Sequence, residues 1–397
     1  MQINASRQQV LQEYAKARQA TYQRLNIPGV FLLSLALVQL PCFTLLQLPG
    51  STSPASFSVF NRAVHALFQP LSWQPLPGWY PLQVLVYYAL VSLILEIIYV
   101  PVAFRIEYTI PRRLKLGTRT SRTTLTRIVQ KQGMLVARWA VLIEVFYLLF
   151  ALQPLLWWIE MALLMSVLAF IEHGLGPAKI RRLFAVSALP EGALKQRLRA
   201  LLEQFSLPAQ EIVVIDKPGA KMEANAYIAG FGKSRLIGIS STMLKEFSPD
   251  EVEVLFAHEL GHHVHHDFLR KPGVWLGIRL LGYGIIALVL AVATVTAGSG
   301  DITTLPLFVI AHILFWLNGS TSFYKFSRRC EYEADEFALQ TTGLATAFKQ
   351  AMIRLANLGL VVANPEKNTA THPPLVSRIQ HAEEFATRTS NARMARM

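Results

Sequence analysis

Charge is scarce in this sequence. Only 16% of its 397 residues are charged, 52% are hydrophobic, and the mean hydropathy is +0.35. An ordinary soluble domain carries about 25% charged residues, so that class is excluded. Cysteine is scarcer still. Cys42 lies in an apolar run and Cys330 in a charged one, which excludes a disulfide framework. Internal repeats and low-complexity tracts are absent as well. Acidic residues are outnumbered, 25 against 38 basic, for a formal net charge of +13. A surplus of that size can signal a nucleic-acid partner. Here the basic residues gather beside apolar runs, as they do in the cytoplasmic loops of membrane proteins, so membrane lipid is the expected partner and nucleic acid is not.

What the chain has in place of charge is apolar length. The runs 28–48, 82–104, 134–152, 154–173, 274–296 and 304–323 reach or approach the roughly 20 residues needed to cross a bilayer. The 134–152 and 154–173 runs are short and carry charge; they read as a hairpin turning at Gln153-Pro154. The loop 49–81 has Arg62 as its only Lys or Arg. By contrast, 105–133 holds Arg105, Arg112, Arg113, Lys115, Arg119, Arg122, Arg127 and Lys131 against Glu107 alone. That asymmetry places 105–133 in the cytoplasm, together with the polar segment 1–27. Two soluble stretches remain, 174–272 and 324–397, and the two spans of 274–323 between them put both on the cytoplasmic side. Within the first, 193–205 reads as an amphipathic helix with Leu194, Leu198, Leu201 and Leu202 on one side. The segment 211–216 reads as a short apolar strand, and 224–230 with 235–240 as a hairpin of two strands.

The chemistry gathers at His258-Glu259-Leu260-Gly261-His262. Residues four apart on a helix share a face, so both imidazoles can reach one tetrahedral zinc. Glu259, on the same turn, can serve as general base toward a water held there. The spacing demands a helix, and the sequence supplies one. Ser248-Pro249-Asp250-Glu251 has the form of a capping box with proline at the first helical position. Val252, Leu255, Phe256, Leu260 and Val264 then form an apolar stripe. On its own the five-residue pattern fits a plain surface helix equally well.

A third ligand decides between these. The longer motif with a third histidine is excluded, because Phe268 stands where that histidine would be. A carboxylate from a second helix is the other option. The run Ser327-Arg328-Arg329-Cys330-Glu331-Tyr332-Glu333-Ala334-Asp335 supplies one. Glu331 and Asp335 share a helix face while Glu333 points elsewhere. Glu331 is the candidate ligand, and Asp335 the candidate acceptor for a ligand imidazole N–H. His263, His265 and His266 read as a solvated helix end, and Asp267 as a cap or partner for basic loops.

These two motifs, with Asn225-Ala226-Tyr227 upstream and His372-Pro373-Pro374-Leu375 downstream, resemble the CAAX prenyl protease 1 family across about residues 90–385. That family comprises integral membrane zinc metallopeptidases related to the HtpX-type proteases. The resemblance implies one zinc ion held by His258, His262 and Glu331, with Glu259 as base. It also implies substrate-binding roles for Asn225 and Tyr227, Asn225 standing on an edge strand. His372 and Arg378 are implied near the scissile carbonyl. The family encloses a water-filled chamber, which Glu96, Glu144, Glu160, Glu172, Arg138 and Arg279 would line, since ionisable groups in a membrane are costly elsewhere. Two features depart from the eukaryotic pattern: four spans precede the metal helix instead of five, and 393–397 carries no endoplasmic-reticulum retrieval signal.

The expectation is therefore an all-α integral membrane protein of about six transmembrane helices, bearing a zincin-like α+β catalytic domain on the cytoplasmic side. Its parts are an N-terminal segment 1–27, a membrane domain 28–173, a catalytic part 174–272, two further spans in 274–323, and a second catalytic part 324–397. The expected activity is that of a zinc metalloendopeptidase of a prokaryotic inner membrane, acting on a peptide or protein that is lipidated in one version. The alternatives are an HtpX-like quality-control protease and a non-catalytic membrane scaffold.

Overall fold

The computed structural model describes residues 2–24, 80–116, 119–207, 211–216, 224–230, 235–297, 305–358 and 371–394, with the single positions 70, 73, 75 and 363. The expected span 28–48 lies outside the described residues. The chain forms two compact units, one built from 1–12, 165–277 and 320–397, the other from 13–164 and 278–319.

The second unit is helical. It takes the latter part of α1 (Ala5–Arg24) and all of α2 (Pro81–Phe104). α2 starts on a proline, whose missing N–H costs nothing at a first helical position. Four residues past Pro101 the helix widens into a π turn (Arg105–Thr109), which leads into the short α3 (Ile110–Arg113). α4 (Ser121–Leu152) is capped by Thr120, whose hydroxyl accepts from the Thr123 N–H. Its 32 residues make it about 48 Å long, against roughly 30 Å of bilayer core. The expected span 134–152 is thus one part of a longer helix, and the basic turns bearing Arg122, Arg127 and Lys131 belong to its other end. A tight turn over 153–156 follows, at the expected Gln153-Pro154, and leads into α5 (Trp157–Gly174). Trp157 is buried edge-on against Phe146, with ring centroids 4.9 Å apart.

Large apolar side chains cover the outside of these helices. Met134 is 70% exposed and Val141 63%. Two described helices, Ser121–Leu152 and Asp267–Ala291, are long and apolar enough to cross a membrane. Two bent pairs, Pro81–Leu90 with Leu95–Arg113 and Trp157–Glu172 with Gly176–Leu183, raise the number to four if each is one span. This is a membrane protein.

The first unit is built on a sheet. α6 (Gly176–Leu183) leads into β1 (Ala185–Ala188), followed by α7 (Ala193–Gln204), β2 (Ile212–Asp216), β3 (Ala226–Ala229) and β4 (Leu236–Ser240). The order is β1-β2-β4-β3, with β2 and β4 parallel and the other pairs antiparallel. β1 escaped the sequence reading, because Ala-Val-Ser-Ala shows no alternation of large apolar residues. β2 and β4 read as unbroken apolar runs because both sheet faces are covered. Ile212, Ile237 and Ile239 face the helices, while Val213, Ile215 and Leu236 face the other side.

The short α8 (Ser241–Glu246) precedes α9 (Pro249–Val264), which carries the His-Glu-x-x-His run. The expected capping box is present: the Ser248 hydroxyl accepts from the Glu251 N–H, and the Glu251 carboxylate accepts from the Ser248 N–H at 2.7 Å. α10 (Asp267–Ala297) and α11 (Leu305–Thr342) come next, and both run on into the other unit. α12 (Ala345–Leu358) and α13 (Leu375–Met394) complete the unit. Val252, Leu255, Phe256 and Leu260 of α9 pack with Leu198 and Leu202 of α7, Ala338 of α11 and Phe348 of α12 in one core.

Candidate active site

One glycine sets how close the two site helices come. A Cβ on Gly261 would lie 3.1 Å from Ala334 Cα and 3.1 Å from Phe337 Cδ1. The bare backbone of α9 therefore rests directly on α11, one turn from His258 on one side and from Glu331 on the other. The result is a cluster in which one donor atom from each of His258, His262 and Glu331 lies within 4.8 Å of the other two. His258 Nε2 is 3.5 Å from Glu331 Oε2, and His262 Nε2 is 3.4 Å from Glu331 Oε1. Donors about 2.0–2.1 Å from a tetrahedral zinc stand about 3.4 Å from each other. The two nitrogens and the carboxylate thus fit a zinc ion in chemistry and in spacing.

Each imidazole is held from behind. A carboxylate can only accept, so each Nδ1 facing one carries a hydrogen, which makes Nε2 the nitrogen turned toward Glu331 and a metal. His258 Nδ1 is 2.8 Å from Asp335 Oδ1, and His262 Nδ1 is 2.8 Å from Asp267 Oδ2. Asp335 is gripped in turn by Arg378, whose Nη2 donates to Oδ1 at 2.5 Å and Nε to Oδ2 at 2.8 Å. Glu331 also meets His372 Nδ1 at 2.7 Å and Lys271 Nζ at 3.4 Å.

The electrostatics follow from burial among opposite charges. Burial alone opposes a charge on His258, but hydrogen bonds to Asp335 and Glu331 outweigh it and raise its pKa to about 9. Burial pushes the Glu331 carboxyl up, yet hydrogen bonds from His258 and His372 hold it far below the ordinary carboxylate range. Asp335 is likewise kept low, burial being overcome by Arg378 and His258.

The expected residues fall into place unevenly. His258, Glu259 and His262 lie on α9, with Glu331 and Asp335 on α11. Glu333 points away, to Arg270 at 2.7 Å and Arg329 at 3.0 Å. His372 is 65% exposed while touching Glu331, so it faces solvent at the mouth of the cluster. Arg378, expected near the scissile carbonyl, lies on α13 with its Nη2 3.4 Å from His258 Nδ1. It is buried, and its guanidinium donates to both oxygens of Asp335. Asn225 is exposed at the start of β3, where its backbone bonds Ser240. β3 is an edge strand of the sheet. Tyr227 lies on that edge strand, paired with Gly238. Its side chain packs toward Val213, Ile215 and Leu236, on the sheet face opposite the metal helix. A groove of about 750 Å³, lined by Lys325, Arg329, Tyr332, Glu336 and His381 among others, lies along α11 and includes no residue of the metal cluster.

Two residues of the site were missed. The sequence suggests Asp267 as a cap or a partner for basic loops; it pairs with Arg270 and is also the acceptor for His262. Lys271 drew no attention. The available signal was spacing: the two are four apart at the start of α10, on one face, immediately after the metal helix.

Two histidines on one helix and a glutamate from a second form the donor set of zinc metallopeptidases whose third ligand is a carboxylate. The chain belongs to Peptidase family M48, which residues 188–386 match. It is 28% identical over 239 residues to a CAAX prenyl protease 1 homolog of Oryza sativa subsp. japonica, a match covering 57% of this chain and 56% of that protein. It is 28% identical over 183 residues to Protease HtpX of Pseudomonas putida (strain W619), covering 40% of this chain and 61% of that protein. The crystal structure of S. mikatae Ste24p has the same fold, with a TM-score of 0.68 at 18% identity over 96% of this chain and 89% of that one. The chain spans about half the length of the curated relatives it matches.

Proposed function

We propose that this chain is a membrane-embedded zinc metalloendopeptidase. The observation that carries the proposal is the cluster of His258, His262 and Glu331, with donor atoms within 4.8 Å, beside Glu259 on the same helix. His258, His262 and Glu331 would hold one Zn2+. When bound, zinc supplies Lewis acidity and brings the pKa of a coordinated water toward about 7. Glu259 then takes the proton of the attacking water and returns it to the leaving amine. Asp335 and Asp267 orient the two imidazoles, and Arg378 holds Asp335. His372, exposed beside Glu331, offers an N–H to the negative charge that develops on the carbonyl oxygen. The substrate backbone adds to the open edge of β3, starting at Asn225.

The architecture we propose has six spans, with 28–48 and the 304–323 part of α11 added to the four candidate spans of the other described helices. The zincin-like α+β part, assembled from 174–272 and 324–397, faces the cytoplasm of a prokaryotic inner membrane. The loop charge asymmetry supports that orientation. For the substrate, the CAAX prenyl protease relative favours a lipidated C-terminal peptide. The HtpX relative, equally identical over a shorter stretch, favours broad cleavage of membrane proteins.

The test uses zinc-loaded protein beside its Glu259→Gln variant, each given a farnesylated C-terminal peptide and the same peptide without lipid. Cleavage of the lipidated form only, lost in the variant, supports the prenyl-peptide reading. Equal cleavage of both supports the broad protease. Equal activity in the variant refutes the peptidase mechanism.

A further inference from the structure

We propose that the stretch 2–11 is a working part of the catalytic unit, a clamp on the segment that brings His372 and Arg378 to the site, with Gln8 as its positioning residue. This rests on the peptidase reading for its consequence, though not for its geometry.

A helix leaves its last carbonyls without partners. At the end of α12 those of Ala356 and Leu358 are met from about 350 residues away. Gln8 Nε2 donates to Ala356 O at 3.2 Å, and Arg7 Nη2 donates to Leu358 O at 3.2 Å. The same Gln8 carboxamide accepts from the Ala363 N–H at 2.9 Å. Asn357 accepts from the Asn4 N–H at 2.8 Å and donates to Gln2 O at 3.1 Å. Gln8 is only 8% exposed and Leu11 only 1%, so this end of α1 is docked and not merely adjacent.

From Ala363 the connection runs on to the site. Ala363 O accepts from the Val376 N–H at 3.3 Å, in the first turn of α13. Two residues further is Arg378, which grips Asp335, which in turn holds His258. One buried carboxamide thus ties the end of α12 to the start of the helix that fixes a metal-binding imidazole. The position needs a donor and an acceptor on one short stem. Glutamine has both; glutamate keeps the acceptor for Ala363 but cannot donate to Ala356.

The experiment compares full-length, zinc-loaded Gln8→Ala, Gln8→Glu and Gln9→Ala with the parent; Gln9 is the exposed neighbour. Hydrogen exchange is followed in peptides covering 356–363 and 371–378, and turnover with a quenched fluorescent peptide. For Gln8→Ala the expected result is exchange about tenfold faster in those two segments, since an orphaned buried amide forfeits its protection. Its kcat falls severalfold at unchanged KM, with one zinc per chain retained. Gln8→Glu recovers part of the kcat, and Gln9→Ala matches the parent. Parental exchange and kcat in Gln8→Ala overturn the proposal. So does uniformly faster exchange across the whole unit, which would mean a loss of stability without a positioning role. Hydrolysis that persists in Glu259→Gln would instead refute the peptidase reading, and the exchange data would still decide the clamp.

Discussion

Two carboxylates stand behind the two imidazoles at the same 2.8 Å, and removing each has a different expected consequence. Loss of such a partner weakens metal binding by roughly 10–100-fold, about 1.4–2.7 kcal/mol. Asp267→Ala and Asp335→Ala should share that effect. They should differ in stability, because they release different cations. Arg270, freed by the loss of Asp267, is one-third exposed and keeps Glu333 at 2.7 Å. That variant is expected to lose less than about 1 kcal/mol, as for a partly solvated ion pair. Arg378, freed by the loss of Asp335, is 8% exposed, and both oxygens it binds belong to Asp335. Breaking a buried, hydrogen-bonded ion pair of this kind costs about 3–5 kcal/mol. Zinc affinity is measured by chelator competition, and stability by denaturation of the metal-free proteins in detergent. Adding Arg378→Met to Asp335→Ala should restore most of the lost stability without restoring zinc affinity. Equal destabilisation by the two single variants, or zinc affinity indifferent to both, would refute this account of the site.

Three further expectations can be checked separately. With its pKa raised to about 9, His258 carries a second proton in the metal-free protein at pH 7, and zinc must displace it. Apparent zinc affinity should therefore climb about tenfold per pH unit up to about pH 9; calorimetry in buffers of different ionisation enthalpy that found no proton released at pH 7 would contradict this. The same proton stabilises the metal-free fold fully below pH 6.5, and that contribution fades as pH rises through 9. Gly261→Ala, whose added methyl meets Ala334 and Phe337 at 3.1 Å, should push α9 off α11, lowering stability by about 1–3 kcal/mol and zinc affinity with it; parental zinc affinity would show that the close approach is not needed. Ser248→Ala removes the cap of α9 and should lower stability by about 1 kcal/mol while zinc still binds, as metal analysis and denaturation would show.

What was legible in the sequence is what depends on near neighbours. The capping box of Ser248 and Glu251, the helical stripe of α9 and the common face of Glu331 and Asp335 are each set by residues three or four apart, and each can be read from spacing. The strands β2 and β4 were visible because burial on both faces leaves unbroken apolar runs. β1 was invisible, since four small residues become a strand only when β2 offers its edge. The length of α4 was hidden by composition, because a helix continues past the membrane without any change in backbone pattern. Arg378 and Tyr227 show the same limit at single residues. The resemblance could associate them with the site, but their directions are set by packing against Asp335 and against the far sheet face. Asp267 and Gln8 are ordinary polar residues in the sequence. Their partners, His262 around a turn and Ala363 at the far end of the chain, exist only once the helices have packed.

The charges of the site explain why a buried cluster can take a dication at all. Asp335 faces Arg378, and Asp267 faces Arg270, which it shares with Glu333, so each orienting carboxylate has an arginine beside it. The carboxylates left over are Glu331 and Glu259, two negative charges for one Zn2+. Glu331 faces three groups that can give way to a metal: His258, the imidazole of His372 and the ammonium of Lys271. The second proton of His258 leaves to water, His372 is mostly exposed, and Lys271 sits on a flexible stem at a partly exposed position. The arginines cannot, being tied to the orienting carboxylates. The site therefore keeps its orienting charges fixed and its neutralising charges exchangeable, which is the arrangement a metal centre needs if it is to be loaded after the chain has folded.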